Sequence, residues 1–122
     1  MARESVTRIS ERWEMKDIRI ESRPTKEGVE LCLIGELLFA DSREFMEKIP
    51  ERVRDKGKVV IFNLEKLKFI DSSGLGAVLY ASQACVMQKQ EVHVTNACPN
   101  VLNSVRTIKK VGTFRLHEPS QP

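Results

Sequence analysis

The stretch Lys58-Val59-Val60-Ile61-Phe62-Asn63-Leu64 is a short, nearly continuous apolar run, and it constrains the fold more than any other feature. A run this short and this apolar fits a strand buried on both faces, as in the centre of a parallel-type sheet. The next long apolar stretch, Leu75 through Met87, is apolar around most of its circumference and predicts a helix packed deep against that strand.

The rest of the chain arranges itself around this pair. Ile18 and Ile20 alternate with charged residues and predict a first strand near a sheet edge. Val29, Leu31 and Leu33 alternate in the same way, with Pro24-Thr25-Lys26-Glu27-Gly28 supplying the turn of an antiparallel hairpin and Gly35 ending the second strand. Asp41-Ser42-Arg43-Glu44 reads as a capped helix start, followed by Phe45, Met46, Ile49 and Val53 on one face. Pro50 predicts a kink or an early end to that helix. Glu91–Thr95 predicts another strand, Val101–Lys110 a helix with Lys109-Lys110 as a favourable C-terminal charge pair, and Phe114 with Leu116 a last short edge strand. The order β-β-α-β-α-β-α-β defines an α/β class with helices packed on a mixed central sheet. At 122 residues there is room for a single domain. Residues 1–16, polar and mixed in charge with the packing candidate Trp13 as the one large apolar residue, are expected to be an arm or an extra helical turn, and residues 17–118 the domain proper.

Composition excludes several functions. Twenty basic against 17 acidic residues leave only +3, scattered along the chain, so no direct nucleic-acid contact is expected. No apolar run reaches the ~20 residues of a membrane span, and the N-terminus carries no signal-type stretch, so a cytoplasmic location is expected. Cys32, Cys85 and Cys98 lack metal-ligand spacing and fit reduced, structural thiols. His93 and His117 lie far apart in the sequence with no Cys or acidic residue at ligand spacing, which suits surface or strand positions. No metal, cofactor or catalytic residue is expected. Ser72 could be a nucleophile only with an oriented base in reach, and neither a G-x-S-x-G motif nor a P-loop is present.

The chemistry concentrates between Asn63 and Gly76, in the string NLEKLKFIDSSGLG. Asp71-Ser72-Ser73 falls at the start of the apolar helix, where four backbone N–H groups lack intrahelical partners. Capping accounts for one of these side chains. It does not account for Gly74 and Gly76, each costing about 1 kcal/mol relative to Ala inside a helix. Two such residues in the first turn imply that something approaches the backbone closely. A hydroxyl at the positive end of a helix is also well placed to carry an anion.

The stretch VVIFNLEKLKFIDSSGLGAVL resembles the signature of the STAS domain, in particular of bacterial anti-sigma factor antagonists, and Leu33-Ile34-Gly35-Glu36-Leu37 resembles the L-x-G-E-L element before that family's first helix. The resemblance covers roughly residues 17–116 and implies a STAS-like fold. By it, Ser72 is the phosphorylated serine, and Asp71, Ser73, Gly74, Leu75 and Gly76, with Glu36 and Leu37, form the partner-binding surface. It implies that the unphosphorylated form binds an anti-sigma factor, often a serine kinase, and thereby releases a sigma factor. Phosphorylation of Ser72 switches binding off and a metal-dependent serine phosphatase restores it, in a protein that is a monomer or weak homodimer. The same family also provides scaffold subunits of stress-sensing and lipid-transport complexes. The chain departs from the family at Leu38, where Asp is common, with Asp41 three residues later.

Overall fold

The computed structural model describes residues 8–118. Its strands are β1 (Glu11–Glu14), β2 (Ile18–Pro24), β3 (Gly28–Leu37), β4 (Val59–Asn63), β5 (Leu67–Ile70), β6 (Glu91–Thr95) and β7 (Arg115–Leu116). Its helices are α1 (Phe39–Val53), α2 (Ser72–Met87) and α3 (Pro99–Lys109). The sheet runs β1-β2-β3-β4-β6-β7, with β5 also paired to β3. The β1–β2 and β2–β3 pairs are antiparallel and the remaining pairs parallel. This is the mixed α/β arrangement that the sequence predicts, with two additional short strands.

One face of the sheet is the core. Ile18, Ile20, Val29, Leu31, Leu33, Val60, Phe62, Val92 and Val94 are buried there together with Phe45, Ile49 and Val53 of α1, Val78 and Ala81 of α2, and Val101 and Val105 of α3. Phe45 meets Phe62 edge-on at 6.2 Å between ring centroids. The intervening residues Glu30, Val59, Ile61, His93 and Thr95 point the other way and are only half covered. The period of two along each strand thus separates a helix-covered face from an open one.

Four local expectations are corrected. Glu11–Glu14, expected as an arm or a helical turn, is an edge strand paired with β2; Trp13 packs against the core with Arg52 stacked 5.0 Å from its ring centroid. Gly35 does not end β3. It sits at φ +111, where the register with β5 shifts, and the strand continues to Leu37. Helix α1 starts at Phe39, two residues before Asp41, and Pro50 neither ends nor shortens it. Pro50 stands in the last turn, so the one bond its missing donor removes, to the carbonyl of Met46, is lost where the helix is about to end. The carbonyls at that end find partners elsewhere: Gln90 Nε2 donates to Val53 O at 2.7 Å and Gln88 Nε2 to Pro50 O at 3.2 Å.

Candidate functional site

The sheet and two helix starts converge on Asp71. It follows β5 and is the N-cap of α2, with an extended backbone at φ −96, ψ −177. Its Oδ1 accepts the Gly74 N–H at 2.8 Å, the expected capping bond. Its Oδ2 accepts the Phe39 N–H, at the first residue of α1, at 3.1 Å. The N-cap of α1 is Leu38, which makes no side-chain cap bond. One carboxylate therefore serves the N-termini of two helices, and the positive ends of both dipoles face the same spot. Asp71 N–H in turn donates to Leu37 O at 3.3 Å, tying the junction to the end of β3.

Ser72 is the first residue of α2 and is exposed. Ser73 and Leu75 are half-buried, and Gly76 and Glu36 are exposed beside it. Leu37 and Gly74 lie beneath this surface: Leu37 is fully covered, and Gly74 is buried. The two glycines differ sharply. A Cβ on Gly74 would fall 2.2 Å from Leu37 O and 2.8 Å from Ile70 Cγ1, whereas one on Gly76 would meet nothing within 4 Å. What approaches the backbone at Gly74 is the protein's own β3, which lets α2 close on the sheet. Gly76 is left open to whatever lies outside.

Two residues that the sequence reading did not assign to partner binding belong to this surface. Phe39 is 75% exposed and Phe69 47%, on α1 and β5, the two elements that flank Ser72 through Asp71. Phe69 was legible only as a loop apolar residue. Phe39 would have been found had the helix start been read at Leu38.

Asp41 does not cap α1 and does not face this surface. It is 2% exposed, turned toward the β1–β2 turn, where its carboxylate accepts the N–H groups of Lys16 at 2.8 Å, Asp17 at 2.6 Å and Ile18 at 3.1 Å. Its part is to fasten the first hairpin to α1. The other acceptor that the first turn of α1 needs comes from Asp71. Among the described residues no group of three or more His, Cys, Asp or Glu side chains could hold a metal ion, and no helix is long and apolar enough to cross a membrane.

A mixed sheet covered by three helices thus carries the Asp-Ser-Ser-Gly turn at the start of α2, beside the end of β3. The STAS domain matches residues 19–119, and the chain belongs to that family. The anti-sigma factor antagonist SpoIIAA in its unphosphorylated form is similar in structure, at 23% identity over 94% of this chain and 90% of its own, with a TM-score of 0.58. The STAS domain of an antisigma-factor antagonist from Rhodobacter sphaeroides is similar at 18% identity over 66% of this chain and 87% of its own, TM-score 0.56. A sulfate transporter family protein from Wolinella succinogenes follows at 17% identity, 71% and 73% coverage and TM-score 0.54. At these identities the likeness is one of fold. No curated protein sequence matches the chain.

Proposed function

We propose that this STAS domain is an anti-sigma factor antagonist that works by partner switching, with Ser72 as the phosphorylated residue. The observation that carries the reading is an exposed serine at the first position of α2, next to a carboxylate that caps two helices and flanked by exposed Phe39 and Phe69. The similarity of the fold to SpoIIAA supports it. The unphosphorylated surface made by Ser72, Ser73, Leu75, Gly76, Glu36, Phe39 and Phe69 docks an anti-sigma factor that is also a serine kinase. Leu37 and Gly74 hold that surface in shape from beneath.

A phosphate on Ser72 adds about −1.5 to −2 charges at pH 7. The two helix N-termini accommodate that charge locally, so the fold is kept. The docked partner would have to desolvate it beside the Asp71 carboxylate, and the complex is lost. A metal-dependent phosphatase reverses the modification, and the bacterial cytoplasm is the setting in which such a cycle regulates transcription.

Incubation with the candidate kinase and ATP, followed by mapping of the phosphate, tests the site; phosphate on any residue other than Ser72 refutes it. A pull-down comparing Ser72→Ala with Ser72→Asp tests the switch. The expected result is a partner retained by Ser72→Ala and lost from Ser72→Asp. A scaffold subunit of a stress-sensing or lipid-transport complex, the other role seen in the family, would hold its partner in both variants.

A further inference from the structure

His93 and His117 are 24 positions apart in the sequence and adjacent in the fold, on the open face of the sheet. His93 Nδ1 lies 2.6 Å from His117 Nε2. The rings are inclined by 14° with centroids 4.9 Å apart. That separation is the N···N distance plus one ring radius on each side, so the rings meet edge to edge and in line rather than face to face. At the far side of His93, Nε2 is 3.0 Å from Glu91 Oε2, and the same oxygen takes Arg115 Nε at 3.3 Å. An ionised carboxylate only accepts, so His93 Nε2 carries a hydrogen. His93 Nδ1 and His117 Nε2 then share one hydrogen between them.

These contacts hold a very short element. Strand β7 has two residues, registered His93 with Arg115 and Val94 with Leu116. The His117 N–H adds a bond to Val94 O at 2.9 Å. Beyond it, an exposed pair joins Arg106 Nη2 of α3 to Glu118 Oε1 at 2.6 Å. So brief a ladder depends on the side chains that reinforce it.

We propose that His93 and His117 form an acid-sensitive latch on this edge of the sheet, closed while the pair shares a hydrogen and opened when both imidazoles are charged. With no added proton, the His117 N–H donates to His93. With one, the His93 imidazolium donates to Glu91 on one side and to His117 on the other, and the latch holds more firmly. With two, an N–H faces an N–H between two cations, and no placement of hydrogens restores the bond. Histidine is the side chain whose charge ordinarily changes between about pH 5 and 8.

The surroundings admit the charge. Glu91 and Arg115 flank the pair directly. Glu27 from the β2–β3 turn, with Val59 and Ile61 of β4 and Thr95 of β6, lines an open cavity of about 440 Å³ shared with both histidines. Glu30 of β3 and Glu118 line a neighbouring cavity of about 390 Å³ that also reaches His117. Glu30 is held by Asn63 Nδ2 at 2.9 Å and Glu118 by Arg106. Opening leaves β6 as the sheet edge, with the Val94 carbonyl unpaired and Phe114, now 6% exposed, partly uncovered. The latch is on the opposite side of the sheet from the helix-covered core and does not depend on the reading of Ser72.

Residue-resolved amide hydrogen exchange between about pH 7.5 and about pH 5, corrected for the intrinsic rate at each pH, tests this. Protection at Arg115 and His117, whose N–H groups face β6, is expected to hold with the first proton and then fall about tenfold or more toward the acid end, while Val60 and Phe62 in β4 stay protected. In His117→Gln, which cannot take up a charge, the acid-dependent loss should vanish. Acid-insensitive protection at Arg115 and His117, the same loss in His117→Gln, or loss spread equally over β4 would each overturn the proposal. So would nitrogen NMR at neutral pH that finds no hydrogen bond between the two rings.

Discussion

Gly74 and Gly76 carry the same side chain, two residues apart, in the same helical turn, and physical chemistry separates them. Replacing Gly74 by Ala places a methyl 2.2 Å from a backbone oxygen of β3, which cannot rotate away. The helix must lift from the sheet, and Gly74→Ala is expected to cost about 2 kcal/mol despite the better helix propensity of Ala. Gly76→Ala meets open space and should gain up to about 1 kcal/mol. Urea denaturation of the two variants checks both signs; a stabilised Gly74→Ala would contradict the close approach. If the Ser72 surface docks a partner, Gly76→Ala should also weaken that complex while the protein itself is more stable. The sequence reading expected a close approach to the backbone at both glycines, and the structure has one at Gly74 and none at Gly76. The sequence could not tell that at Gly74 this is Leu37, because the register of α2 against β3 is set by tertiary packing and leaves no local trace.

Asp41 links α1 to the β1–β2 turn and the start of β2, which is why its role was not legible. The pattern Asp41-Ser42-Arg43-Glu44 satisfies the local rule for a helix start, yet the chain begins the helix at Phe39 and turns Asp41 to the β1–β2 connection. A local motif and a long-range demand for an acceptor competed, and the three N–H groups at 16–18 won. Asp41→Ala leaves those donors without their acceptor, and with hydrogen bonds to a charged group worth about 1.5–3 kcal/mol each, a loss of about 3 kcal/mol is expected. Hydrogen exchange should show the cost as lost protection at Lys16, Asp17 and Ile18, with β4 and β6 opening only on global unfolding. Uniform loss everywhere would mean that Asp41 does not fasten the hairpin. The strands that escaped the sequence reading have related causes. β1 is polar and gains its place by pairing with β2 and through Trp13. β5 is four residues long with its two middle side chains exposed, and its register against β3 shifts between Gly35 and Glu36. Neither shows the period of two from which β2, β3 and β6 were readable. The long elements and the Asp-Ser-Ser-Gly turn were legible because apolar spacing and capping chemistry are local.

At the scale of the whole molecule, the core is a single cluster spanning all three helices and most of the sheet, and Cys85 sits fully buried in it. Burial alone pushes its thiol from the ordinary 9.0 up to about 11. The expectation of a reduced, structural thiol gains a physical basis here, since a protonated buried thiol is a poor nucleophile. The same shift makes stability depend on alkaline pH. Between about 9 and about 11 the native Cys85 stays protonated while the unfolded one ionises, so the native state binds more protons and stability falls as pH rises. The contribution is fully present below pH 9.0 and is lost as pH rises through about 11, reaching about 2 kcal/mol at the alkaline end. The measurement is a difference, so that everything the two chains share cancels: urea unfolding of the natural chain and of Cys85→Ala at about pH 8 and about pH 11. Cys85→Ala should be the weaker fold at the lower pH, through the small cavity it leaves. Its disadvantage should shrink toward the higher pH, because it has no thiol to ionise on unfolding. A gap that stays constant would mean that the interior admits the thiolate, and therefore that α2 packs less tightly on the sheet than its buried Ala77, Val78, Ala81 and Cys85 require.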